Sequence, residues 1–103
     1  MIYVSKFRPE LVEDLADAFH YYEERAEGWV GHELLQRFHA AIAAVERNPE
    51  IHLRTRGEFR RVLLERFPYA LHFRIEENVI VFILLFPGVR NSRLLRKRLR
   101  ERK

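Results

Sequence analysis

The sequence predicts an α+β fold: one domain over residues 1–103, in the order β-αα-β-β-β-(α), with a small, largely antiparallel sheet and a helical hairpin packed on one face. Three observations predict it. Residues 2–7 alternate in side-chain character and are rich in β-formers. Two consecutive segments, up to Asn48, then carry apolar residues at helical spacing. From Phe59 onward strand-like alternation takes over. A helix pair laid on one side of a sheet is the economical way to bury the apolar faces of both.

Taken in order, residues 2–7 form the first strand, which ends at Arg8-Pro9, and proline there suits the first turn of a helix. Leu11/Val12, Leu15, Ala18/Phe19, Tyr22 and Ala26 mark one helical face, and Glu10, Glu13, Asp14 and Asp17 crowd its first turns, where the helix dipole favours negative charge. Gly28 and Gly31 break that pattern. Leu34/Leu35, Phe38, Ala41/Ile42 and Val45 then mark a second helix, which stops at Asn48-Pro49 because proline disfavours the helical conformation in the residue before it. The two helices make an antiparallel hairpin. Residues 50–58 have no period and read as a loop. Residues 59–64 form a strand, and residues 65–68 a turn.

Tyr69, Leu71, Phe73 and Ile75 next alternate with Ala70, His72, Arg74 and Glu76, the pattern of a strand with one buried face. Glu76-Glu77-Asn78 is a tight turn in which Asn78 can take a left-handed conformation. Residues 79–86 are apolar throughout, which predicts a central strand covered on both sides, and Pro87-Gly88 ends it. In the basic tail Ser92 can cap a short helix with Leu94, Leu95 and Leu99 on one side.

Composition limits the chemistry. With no cysteine there is no disulfide, thiol nucleophile or thiolate metal site. The five histidines give only partial ligand sets and no HExxH pairing, so neither a metal nor a cofactor is expected. Residues 1–8 lack the basic and long apolar regions of a secretory signal. The apolar run 79–86 is far short of the roughly 20 residues that span a bilayer. A cytoplasmic protein without membrane contact is expected. The net charge of +4 hides an asymmetry. Residues 1–53 carry five Lys/Arg against ten Asp/Glu, whereas residues 54–103 carry fourteen against five. A positive half made mostly of Arg suits phosphates or an acidic partner chain.

The segment Gly57-Glu58-Phe59-Arg60-Arg61-Val62-Leu63-Leu64-Glu65-Arg66-Phe67-Pro68-Tyr69 resembles the signature of ParE-like plasmid-stabilisation toxins of the RelE/ParE superfamily. In that signature a loop glycine leads into an Arg-bearing strand, and a Phe-Pro-Tyr turn leads into the next. Tyr21-Tyr22-Glu23-Glu24, Phe38 and Asn48-Pro49 also stand where that family has them, so the resemblance spans essentially the whole chain. One stretch departs from it. Where the family commonly shows His, Gly and two Arg after the last strand, this chain has Pro87 for the His and Val89 for the first Arg, and only Gly88 and Arg90 match. The missing His removes the obvious proton-transfer group at that place.

The resemblance implies the toxin of a bacterial type II toxin–antitoxin pair. RelE-like members cleave messenger RNA on the ribosome, which requires acid–base groups and stabilisation of charge at phosphorus. Arg54, Arg56, Arg61, Arg74 and Arg90 are the candidates for target or phosphate contact. If the chain is a nuclease, Glu58, Arg61, His72 and Arg90 are its candidate catalytic residues. ParE-like members bind DNA gyrase and need no catalytic set, and the thin acid–base supply favours that reading over an endoribonuclease or a non-toxic nucleic-acid-binding domain. The remaining implied partner is the cognate antitoxin, forming an oligomer with the toxin through an acidic or amphipathic segment. Its candidate contacts are Leu94, Leu95, Leu99, Tyr22 and Phe38.

Overall fold

The computed structural model describes residues 2–88 and 92–102. Strand β1 (Val4–Phe7) runs into Pro9, whose φ of −57° already lies in the helical region, and α1 (Glu10–Arg25) follows directly. Its first turn carries Glu10 and Glu13 and its last turn Arg25, each on the end of the dipole that suits its sign. Ala26 and Glu27 are extended and form the whole turn of the helical hairpin, so α2 (Gly28–Arg47) starts earlier than the glycines suggest. Gly28 and Gly31 lie inside α2. Gly31 is there because the helices cross closely: a Cβ at this position would stand 2.8 Å from the Phe19 ring and 2.6 Å from a Glu23 carboxylate oxygen. A glycine that reads as a helix breaker is here a contact residue.

Asn48 ends α2 as expected, and a single 3-10 turn follows at Pro49–Ile51. The stretch expected to be a loop then contributes a short strand, β2 (Arg54–Arg56), turned by Gly57 at φ +55° into β3 (Phe59–Leu63). β4 (Tyr69–Glu76) and β5 (Val79–Pro87) complete a five-stranded sheet in the order β1-β5-β4-β3-β2. Neighbours are antiparallel except β1, which pairs parallel to β5. In the β4–β5 turn the positive φ falls on Glu77, at 56°, rather than on Asn78. Asn78 instead offers its carbonyl to the Val4 amide at 2.8 Å.

The hairpin α1–α2 covers one face of the sheet. Leu11, Ala18, Leu34, Phe38, Ala41 and Val45 meet Leu71, Phe73, Ile80, Phe82 and Leu85 in the main core. The other face carries a second core: α3 (Ser92–Arg102) lays Leu99, with Leu94 and Leu95, on Phe59, Val81, Ile83, Leu84 and Phe86. β5 is therefore apolar on both sides, as its sequence requires. A bulge changes its phase. Phe73 pairs with Phe82 and His72 with Leu84, which leaves Ile83 as an extra residue. Ile80 and Phe82 face the hairpin, Ile83 and Leu84 both face α3, and Leu85 returns to the hairpin side.

β1 ends before β5 does. The Arg8 amide makes its last bond to the Phe82 carbonyl, at 2.9 Å, and beyond it β5 has an unpaired edge. An ion pair closes that edge. Asp14 of α1 accepts the Leu85 amide at 3.0 Å, while Arg102 of α3 donates to the Ile83 carbonyl at 3.2 Å. Arg102 also forks onto both Asp14 oxygens, at 2.6 and 3.0 Å. The pair stands in for a missing strand and ties α3 to α1. Among the described residues no helix is long and apolar enough to cross a membrane.

Candidate functional site

Neighbouring residues of a strand point to opposite faces, and β3 uses this to separate its two arginines. Arg60 turns toward the 3-10 segment, where its guanidinium donates to the Glu50 and His52 carbonyls, both at 3.0 Å. It staples the incoming loop. Arg61 lies directly across from His72 on β4, and His72 in turn lies across from Leu84 on β5. Arg74, two residues further along the same face of β4, pairs with Glu76 at 3.3 Å. Arg56 stands opposite Phe59 and Arg54 opposite Arg60, with a register irregularity between them, so the two sit against opposite faces of β3. Both are exposed, as is Glu58 in the β2–β3 turn.

The structure thus brings Arg61, His72 and Arg74 together and leaves Arg54 and Glu58 apart from them. Arg90 lies outside the described residues. Arg61 makes no ion pair among the described residues. His72 corrects the sequence reading. Strand alternation assigns it to an exposed face, yet only 1% of it reaches solvent, and neither ring nitrogen has a hydrogen-bond partner among the described residues. The reason is α3: its leucines return onto this face and make it a second core. Burial, with the Arg61 charge as a lesser cause, lowers the His72 pKa to about 4. At neutral pH the ring is uncharged. Glu58 stands in the exposed β2–β3 turn and Glu76 is engaged by Arg74, so among the described residues this face offers cations that can hold phosphate or carboxylate and a histidine that does not reach solvent.

The residues expected to meet an antitoxin divide in the same way. Phe38 and Leu99 are 5% and 3% exposed and belong to the two cores, so they present no surface. Leu94 and Leu95 are partly buried against the second core. Tyr22 reaches a surface cleft of about 220 Å³ that it shares with Trp29, Val30, Glu33, Arg66 and Phe67. Its ring packs edge-on to Phe67 at 5.2 Å, and burial raises its phenol pKa. Tyr69 packs behind it at 6.4 Å, so the Phe67-Pro68-Tyr69 turn is a plug between the helices and the sheet. Glu33 closes the rim. It accepts from Arg37 at 2.9 Å and Arg66 at 3.0 Å, and the Arg37 bond leads in holding its carboxyl below the usual range.

Two features escaped the sequence reading. Trp29 is 61% exposed beside this cleft, and its signal was available, since a tryptophan between two glycines fits neither helical stripe. The Asp14–Arg102 clasp had none, because each residue reads as one more solvated charge. Among the described residues no cluster of His and acidic side chains could hold a metal ion.

Known proteins resemble the chain in fold and in sequence pattern. A chain from the chromosomal ParDE toxin–antitoxin system of P. aeruginosa superimposes with a TM-score of 0.75 over 84% of this chain and 97% of its own, at 14% identity. The isolated RelE toxin of E. coli superimposes with a TM-score of 0.52 over 96% and 98%, at 17% identity. No curated protein matches. Residues 6–91, from the first strand past the end of β5, match the family described as the ParE toxin of the type II toxin–antitoxin system parDE. The helical hairpin, the Arg61 strand and the Phe-Pro-Tyr plug all fall inside that match, and the chain belongs to the ParE toxin family of type II toxin–antitoxin systems.

Proposed function

We propose that this ParE-type toxin stops growth by binding DNA gyrase rather than by cutting RNA, with the Arg61 side of the sheet as part of the contact surface. The observation that supports binding is the state of His72. Among the described residues, the His72 ring beside the Arg61 strand position is buried, uncharged at neutral pH and without a hydrogen-bond partner, and Arg61 makes no ion pair. A general acid or base must reach the proton it moves, and this one is sealed beneath α3. Inhibition by binding needs only a complementary surface. Gyrase enters through the resemblance of residues 57–69 to ParE-like toxins.

Before release, the toxin is held by its cognate antitoxin. The cleft of Tyr22, Trp29 and Phe67 is the surface we assign to that partner, together with the exposed parts of Leu94 and Leu95. An exposed tryptophan beside half-buried rings is the composition of a binding hot spot.

Purified chain added to gyrase and relaxed plasmid should suppress supercoiling, and Arg61→Ala should weaken that inhibition about tenfold, as loss of a charged contact does. Transcript ends mapped after expression in cells should show no new cuts within codons. Such cuts, with gyrase unaffected, would overturn the proposal and favour a ribosome-dependent endoribonuclease.

A further inference from the structure

Helix α3 divides its side chains into two arcs. At 100° per residue, Leu94, Leu95, Arg98, Leu99 and Arg102 fall on the side that meets the protein, and Arg93, Arg96, Lys97, Arg100 and Glu101 on the side that faces away. The inward cations are engaged. Arg102 is forked onto Asp14, and Arg98 lies 5.7 Å from the centre of the Phe86 ring. The outward cations are not: the side chains of Arg93, Arg96, Lys97 and Arg100 have no ion pair or hydrogen bond among the described residues. Acidic Glu10, Glu13, Asp17 and the arc's own Glu101 line a neighbouring cleft of about 350 Å³, yet among the described residues none of them forms an ion pair with the arc's cations.

We infer that the outward arc of α3 is a contact for the phosphate backbone of duplex DNA. Two features select this occupant over an acidic protein. The arc has no apolar or aromatic residue, whereas a protein interface is built on such anchors. Its cations repeat at i, i+3, i+4 and i+7, which covers roughly 10 Å along the helix, a length over which duplex DNA presents about six phosphate charges. The clasp of Arg102 on Asp14 and the burial of Leu99 hold the arc rigidly on the sheet, so little ordering is needed on binding. The inference goes beyond gyrase inhibition and stands without it.

The test is binding of the full chain to a fluorescent duplex of arbitrary sequence, followed by anisotropy from 50 to 200 mM salt. With about three phosphates neutralised, the logarithm of affinity should fall with the logarithm of salt at a slope of about −2.7, or about 40-fold over that range. The triple substitution Arg93→Gln, Lys97→Gln, Arg100→Gln leaves Arg96 and should bring the slope to about −0.9 or less in magnitude and lower affinity at 50 mM by at least about tenfold. Arg93→Lys with Arg100→Lys should retain the slope, which separates loss of charge from loss of fold. The inference is overturned if the unaltered chain does not bind duplex at 50 mM salt, or if the triple variant binds as well as it does. It is equally overturned if polyglutamate of matched charge binds the arc more tightly than the duplex, since the surface would then belong to an acidic chain.

Discussion

At neutral pH His72 is an uncharged, buried ring, and acidification should expose the cost. Its folded pKa of about 4 lies below the ordinary 6.5 of an unfolded chain, so between those values the unfolded state binds the extra proton. The stability tied to this ring is fully present above pH 6.5 and is lost as pH falls toward 4, at a total cost of about 3 kcal/mol. Urea titrations at pH 7 and pH 4.5 on the natural chain and on His72→Leu should show a smaller acid loss in the variant; equal losses would refute the assignment. Asp14 is the second decisive residue. Its side chain is 9% exposed and that of Arg102 is 14% exposed, so Asp14→Ala leaves the Leu85 amide without an acceptor and a largely buried guanidinium with only the Ile83 carbonyl and no counter-charge. Breaking such a pair from one side costs about 3 kcal/mol. Asp14→Asn keeps one acceptor and should lose less, as thermal melts of the two variants would show. From sequence, the shared face of Arg61 and His72 was legible through strand alternation. The burial of His72 was not, because it depends on a helix that returns from twenty residues further on.

Individual elements differ in how openly the sequence declares them. Both helices of the hairpin follow from their apolar spacing, and Asn48-Pro49 sets the end of α2. β2 could not be read, since Arg54, Thr55 and Arg56 are all exposed and the strand exists only by pairing with β3. The bulge at Ile83 is hidden for the opposite reason: when both faces are apolar, a phase shift leaves no trace in the pattern. The start of α2 was misplaced because glycine weakens a helix locally while allowing close packing, and only the second effect operates at Gly31. These two roles predict opposite outcomes. Gly31→Ala forces a methyl group into the Phe19 ring and should cost about 1–3 kcal/mol. Gly28→Ala meets nothing within 4 Å and should be neutral or stabilise α2 by up to about 0.5–1 kcal/mol. Paired chemical melts would reverse this order if the helices were separable here.

For the whole molecule, the charge asymmetry between halves becomes a spatial one. The acidic half supplies the hairpin and the basic half supplies the strands beyond it and α3, with Asp14 and Arg102 joining them. α3 also encloses the second core. A chain ending at residue 91 would uncover Val81, Ile83, Leu84 and Phe86 on an interior strand. Such a truncation should self-associate in size-exclusion chromatography and bind a hydrophobic dye, whereas a monomeric, dye-negative product would show that α3 is dispensable as a cover. The parallel pairing of β1 with β5 also governs when the toxin can exist. Val4 waits for Val79, and every other strand lies between them in the chain. Pairings so distant form late and slowly. A nascent chain on the ribosome therefore keeps its first strand unpaired until β2, β3, β4 and β5 have all been made, and the β1 edge is the last part of the sheet to close.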